Sequence, residues 1–162
     1  MSVSYQLPDG ASMEFEQPAS AFEIAGRISK KLAKQALAAK ANGNLIDVYL
    51  PIDDGATVEI ITRETDEALE LIRHDAAHVM AEAVQELFPD TQVTIGPTIT
   101  NGFYYDFHRD TPFTPDDLKT IEKRMQDIVR RNEEIRREVW DRDEAVAFFL
   151  EKGEEFKAEI IR

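Results

Sequence analysis

Leu69-Glu70-Leu71-Ile72-Arg73-His74-Asp75-Ala76-Ala77-His78-Val79-Met80-Ala81-Glu82-Ala83-Val84-Gln85-Glu86-Leu87 reads as one amphipathic helix. At about 100° per residue, Leu69, Ile72, Ala76, Val79, Met80, Ala83 and Leu87 share a stripe, the predicted core face. His74 and His78 fall nearly opposite, one turn apart and beside the small side chains of Ala77 and Ala81. A helix that buries one face and offers two imidazoles on another, with room beside them, fits the wall of a pocket. Thr65 or Asp66 caps it, and Pro89-Asp90 stops it after Phe88.

Upstream of this helix the chain reads as a compact β-rich unit. Ser4–Leu7 and Ser12–Glu16 form a hairpin around the turn Pro8-Asp9-Gly10. Ser20 then precedes one helix with apolar positions Phe22, Ile24, Ala25, Ile28, Leu32, Ala36 and Leu37. Lys30, Lys31, Lys34 and Lys40 gather toward its C-terminal end, opposing the dipole favourably, and Asn42-Gly43 ends it. Asn44–Leu50 alternates as a strand, and Asp53-Asp54-Gly55 turns into Thr57–Thr62. The order is ββαββ, a single helix across a small mixed sheet.

Downstream, Gln92–Ile95 and Gly102–Phe107 read as strands joined through Gly96-Pro97 and Asn101-Gly102. Thr114-Pro115-Asp116-Asp117 is a helix start with a capping hydroxyl, proline in the first turn and acids at the positive end of the dipole. Leu118, Ile121, Met125 and Ile128 supply its buried stripe. Arg137–Trp140 is predicted as a strand, Asp141 as the cap of a short helix through Leu150, and Phe156–Ile161 as a last strand. Arg162 then ends the chain within that strand, which makes the second unit look unfinished.

The 162 residues carry a net charge of −13. Residues 1–62 hold 5 Lys+Arg against 8 Asp+Glu, and residues 63–162 hold 14 against 24. A broad phosphate-neutralising face is usually basic, so this balance argues against non-specific nucleic-acid binding. It leaves room for a site that captures one end of an RNA. No run of eighteen apolar residues marks a membrane span, and Met1-Ser2-Val3-Ser4-Tyr5 lacks the features of a signal peptide. With no cysteine there is no disulfide framework and no thiolate metal site. The expected compartment is cytoplasmic.

By spacing alone, side chains at i and i+4 can share a metal, a water or a substrate. A zinc-protease reading needs His-Glu-x-x-His, whereas Asp75 follows His74 here. His108 is the only other histidine, and no third ligand stands out, so no metal site is expected. Ile95–Phe107 is dense in glycine and aromatics, either a tight turn with a half-buried strand or a ligand-lining loop. Lys157, in the predicted strand, reads by itself as a solvated residue. Neither a phosphate-binding glycine loop nor a nucleophile elbow is present. The residues alone leave three readings: a soluble domain whose surface histidines are incidental, a non-catalytic RNA- or protein-interaction module, and a small metal-dependent hydrolase built on the histidine pair.

These motifs, in this order, resemble the N-terminal region of the bacterial-type threonyl-tRNA synthetase family, over essentially the whole chain. Residues 1–62, with Leu7-Pro8-Asp9-Gly10, Asn42-Gly43 and Val58-Glu59-Ile60-Ile61-Thr62, look like its TGS domain, a β-grasp-like module. Residues 63–162 look like the start of its tRNA-editing domain, with His74-x-x-x-His78 and the hairpin Ile95-Gly96-Pro97…Asn101-Gly102-Phe103-Tyr104-Tyr105-Asp106. The implied fold class is α+β, a TGS module followed by an incomplete α+β editing domain. The implied function of the parent is ATP-dependent attachment of threonine to its tRNA, with hydrolysis of tRNA mischarged with serine in the editing domain.

The resemblance assigns His74, His78 and Lys157 to the catalytic site and Tyr105 to substrate binding. The family's site also draws on a later segment with a cysteine and a further histidine, which this chain lacks, so the chain alone is expected to be inactive. No cofactor is implied for this region. ATP, Mg and a structural or substrate-binding Zn are implied for a catalytic domain outside it. The implied partner is the acceptor end of threonine tRNA, and the full-length parent is implied to be a homodimer with no membrane association.

Overall fold

The computed structural model describes residues 2–133 and 135–162. The chain divides into two compact units between Leu71 and Ile72.

In the first unit, β1 (Val3–Gln6) and β2 (Ser12–Phe15) form the expected antiparallel hairpin. Ser20 caps α1 (Ala21–Ile28) through a capping box: its hydroxyl accepts from the Glu23 amide at 3.3 Å, and the Glu23 carboxylate accepts from the Ser20 amide at 2.8 Å. The expected single long helix does not form. Ser29 is extended (φ −165°, ψ 147°), ending α1 and capping a separate short helix, α2 (Lys30–Gln35), with its hydroxyl 3.0 Å from the Leu32 amide.

The alanine-rich run that follows is a strand, β3 (Ala36–Ala41), against its helix propensity. It pairs antiparallel on one side with β4 (Asn44–Asp47) and on the other with β5 (Val58–Thr62). Asn42-Gly43 is therefore a hairpin turn and not a helix stop. Both residues have positive φ (51° and 82°), the two-residue geometry that matches strand twist. A parallel bridge, Gln6 to Thr57, joins β1 to the β5 end and makes the arrangement mixed, as expected.

The core of this unit is closed. Val3, Tyr5, Ala21, Ile24, Ala39, Val48, Ile52 and Val58 are buried together. Tyr5, fully buried, donates its hydroxyl proton to the Ile52 carbonyl and accepts from the Ala19 amide, both at 2.8 Å. The polar tip of a large apolar side chain is thereby satisfied inside the core. The first turns of the next helix, α3 (Asp66–Leu87), add Ala68 and Leu71 to a second cluster with Leu37, Ala38 and Ile61. Thr65 caps α3, its hydroxyl 3.3 Å from the Ala68 amide.

In the second unit, the rest of α3 packs against α4 (Pro115–Arg131), which starts at the expected Thr114 cap and closes a capping box with Asp117. Ala83, Val84, Ile121 and Ile128 form the core, with Val79, Met80, Leu87, Phe107, Phe113 and Met125 around it. Arg131 of α4 binds Glu86 of α3 with two hydrogen bonds of 2.7 and 2.8 Å.

Between these helices lies an interrupted hairpin. The outer strands β6 (Gln92–Val93) and β9 (Phe107–His108) pair, as do the inner strands β7 (Thr98–Ile99) and β8 (Gly102–Phe103). Asp141 caps α5 (Arg142–Glu151) as expected.

Two expected strands are absent. Residues 137–140 pair with nothing in a sheet; Trp140 packs edge-on against Phe148 of α5 instead, at 4.9 Å. Residues 156–161 belong to a helix, α6 (Glu155–Ile161), so the described chain ends on a helical turn. Gly153, at φ 74°, makes the left-handed turn that separates α5 from α6. Alternation over five residues does not discriminate a strand from a short helix that buries one residue, here Ala158.

Candidate functional site

The burial of the helix that carries the histidines differs from the expected stripe. Val79, Met80, Ala83 and Leu87 do face the α4 core. Leu69 and Ile72, however, are 49% and 45% exposed, while Ala77 and Ala81 are buried. The small residues flanking the imidazoles are packing positions, not open space. Their size lets neighbouring structure approach the helix closely and leaves the longer histidines to project past it.

His74 and His78 are both exposed. Their Nε2 atoms lie 3.0 Å apart and their ring centroids 4.6 Å apart, nearly perpendicular at 77°. At that distance one nitrogen donates a hydrogen and the other accepts it, so the pair holds a proton between them and one acceptor must be neutral. His78 is the member pushed below the ordinary histidine value. Partial burial is the main cause, followed by the charge of His74, with Lys157 adding to the same effect and Asp75 opposing it. A histidine held low stays neutral near pH 7 and is free to accept a proton.

Lys157 lies on α6, not on a strand, and its charge acts on His78. Its ammonium also stands 5.5 Å from the centre of the Phe149 ring. Tyr105 lies on the return arm of the hairpin, stacked on Phe107 with centroids 4.8 Å apart and planes at 19°. Burial, and then the charge of Glu154, raise its pKa. The structure thus brings His74 and His78 into direct contact and sets Lys157 within electrostatic reach of His78. Tyr105 is linked to α6 through Glu154 and has no direct bond to either histidine among the described contacts.

Three further residues make contacts around these side chains, and spacing did not single them out. Gly96 lies against the Tyr105 ring: a Cβ there would come within 2.1 Å of it, so only glycine allows the ring to lie on this arm. Arg73, next to His74, donates from Nη1 to the Thr100 carbonyl at the hairpin tip at 2.8 Å. Gln85, seven residues and two turns beyond His78, donates to Glu154 at the start of α6. The one signal for Gln85 was its helical phase, since i and i+7 share a face.

No group of three His, Cys, Asp or Glu that could hold a metal occurs among the described residues. No helix among them is long and apolar enough to cross a membrane.

Comparison with known proteins gives a named domain within the first unit and relatives that align across both. The TGS domain family matches residues 3–62. Over 159 residues, 98% of this chain, the threonine--tRNA ligases of Phenylobacterium zucineum (strain HLK1) and Thiobacillus denitrificans (strain ATCC 25259 / T1) are each 57% identical. That of Rickettsia peacockii (strain Rustic) is 54% identical over the same length. The chain spans about a quarter of each relative, 24%, 25% and 25% respectively. The TGS match and the near-complete alignment agree: over almost its whole length the chain is similar to the N-terminal region of bacterial threonine--tRNA ligases, and residues 3–62 are a TGS domain.

Proposed function

We propose that residues from about 63 onward contribute to an editing site that hydrolyses serine wrongly esterified to threonine tRNA. The parent of such a chain would be a cytoplasmic, homodimeric ligase that joins threonine to this tRNA with ATP. The observation that supports this most is the histidine pair, two imidazoles 3.0 Å apart on an exposed helix face, with one held neutral.

The need for such a site is physical. Serine lacks one methyl of threonine, and a missing methyl discriminates by about 1–3 kcal/mol, or roughly 10–200-fold. A second pocket that serine enters and threonine does not supplies further discrimination.

In the proposed reaction, water attacks the carbonyl carbon of the seryl ester. His78, neutral and backed by His74, takes the proton from that water as the new C–O bond forms. The tetrahedral intermediate then collapses, the bond to the ribose oxygen breaks, and the proton passes to that oxygen. The products are free serine and a tRNA with its terminal hydroxyl restored. Lys157 stabilises the negative charge on the former carbonyl oxygen or anchors the substrate, and Tyr105 lines the serine side. An alternative use of the same pair is to hold the terminal ribose.

ATP, Mg and Zn would act in a catalytic domain of the parent outside these residues. The family's further cysteine and histidine also lie beyond this chain, so little or no hydrolysis is expected from the 162 residues alone. In the full-length ligase, His74→Ala should abolish deacylation of seryl-tRNA and leave threonine activation intact. Unchanged deacylation would remove His74 from the mechanism.

A further inference from the structure

We propose that Gln85 and Glu154 are a positioning pair that fixes the start of α6 against α3 and so sets the place of Lys157 beside the histidines. The inference rests on the reading of His74, His78 and Lys157 as one site, but its geometry stands apart from any activity.

Glu154 occupies the N-cap position of α6. A side chain there normally accepts from an amide of its own first turn. Glu154 makes no such bond. One carboxylate oxygen instead accepts from Gln85 Nε2, across 69 residues of sequence, and the other is buried with no hydrogen-bond partner. The helix therefore forgoes its own cap in favour of a tether to α3. Local rules broken in this way are expected where position matters more than local stability.

The tether is well placed for that purpose. Gln85 lies two turns beyond His78 on the same face of α3, so the bond joins α6 to the histidine strip itself. Lys157 follows Glu154 by one helical turn, and the adjacent Ala158 is fully buried, which fixes the roll of the helix. Upstream, Gly153 makes a left-handed turn, and the Glu154 amide donates to the Phe149 carbonyl at 2.8 Å. The backbone entering the tether is thus held as well. The charge of Glu154 also acts on Tyr105. A single carboxylate connects the lysine helix, the histidine helix and the tyrosine arm.

The test uses the chain as it stands and follows the side-chain NMR titration of His78, on which Lys157, His74 and Asp75 act. Lys157→Met should raise the His78 midpoint, because a nearby positive charge has been removed. Glu154→Ala should raise it as well by releasing Lys157, and adding Lys157→Met to Glu154→Ala should raise it no further. Loss of a carboxylate acting only through its charge would have the opposite sign. Glu154→Gln keeps an acceptor for Gln85 and should retain the wild-type titration.

If Glu154→Ala fails to fold, Gln85→Ala breaks the same bond from α3 and should give the same upward shift. An unshifted His78 in the folded variant, or a Glu154→Gln shift as large as that of Glu154→Ala, overturns the proposal. Failure of the editing reading is separately visible. In that case seryl-tRNA deacylation by the full-length ligase would survive His74→Ala, while the titration shifts would remain.

Discussion

The two units of this chain differ in how completely they bury their large apolar side chains, although both leave some exposed, Tyr49 and Leu45 among them in the first. In the first, Tyr5, Ile24, Val58 and Ile61 are fully buried and even the tyrosine hydroxyl is bonded on both sides. In the second, Val84 and Val93 are the large side chains buried to that degree, while Ile72, Ile95, Leu118, Val129 and Ile160 are about half exposed or more. Carboxylates held low by a cap or a basic partner occur in both units, Asp117 and Glu86 being those of the second. The shifted carboxylates of the first unit, Glu23 and Glu67, are held low by a cap and by Lys40. In the second unit a histidine is depressed and a tyrosine raised, both chiefly through burial. A closed core makes a scaffold; an open face carrying a burial-shifted histidine and tyrosine is the better candidate for chemistry.

The contrast can be broken most forcefully at Tyr5. Tyr5→Ala should destabilise the first unit by about 3–5 kcal/mol, the usual range for emptying an aromatic site. Amide exchange of β3 and β5 should accelerate, with α4 left protected. Equal acceleration in both units would mean that they do not unfold separately. In the second unit the corresponding lever is Gly96. Gly96→Ala drives a methyl into the Tyr105 ring and should cost about 1–3 kcal/mol, with displaced Tyr105 and Phe107 ring resonances. Unmoved rings would show that the close approach is not maintained in solution.

A smaller effect is expected at Thr114, where loss of the capping box should cost about 1 kcal/mol, read by urea denaturation and by fraying of the first turn of α4.

The smallest is the pH dependence. Because His78 is held below the ordinary histidine value of 6.5, the unfolded chain binds its proton more readily. The second unit should therefore lose stability as pH falls through and below about 6.5, and His78→Gln should remove that part of the loss. The first unit, whose shifted groups are Glu23 and Glu67 held low and Lys40 held high, should lose stability only at more acidic or strongly basic pH. Identical responses above pH 6 in both units would erase the distinction.

What the amino-acid pattern revealed follows the same physical line. Caps and turns were legible where a local hydrogen bond decides the backbone, as at Ser20, Thr114 and Asp141. Residues 36–41 were misread because alanine favours a helix locally, while two neighbouring strands decide the outcome. Asn42-Gly43 carried a hairpin signal that an assumed helix obscured.

At the site, the i, i+4 spacing placed the histidines together correctly, since helix geometry alone sets it. The contact of Glu154 with Gln85 spans 69 residues and that of Gly96 with Tyr105 crosses a hairpin, and no periodicity records either. The expected strand at residues 156–161 would have pointed alternate residues to opposite sides; the helix instead presents Lys157 next to buried Ala158.

The most direct measurement is seryl-tRNA deacylation by the full-length ligase in three forms: His74→Ala, His78→Ala and the double variant. If the two imidazoles act as one proton-handling unit, each single change should remove nearly all deacylation and the double change should be no worse than either. Losses that multiply, or substantial turnover in either single variant, would contradict the shared proton on which the account depends.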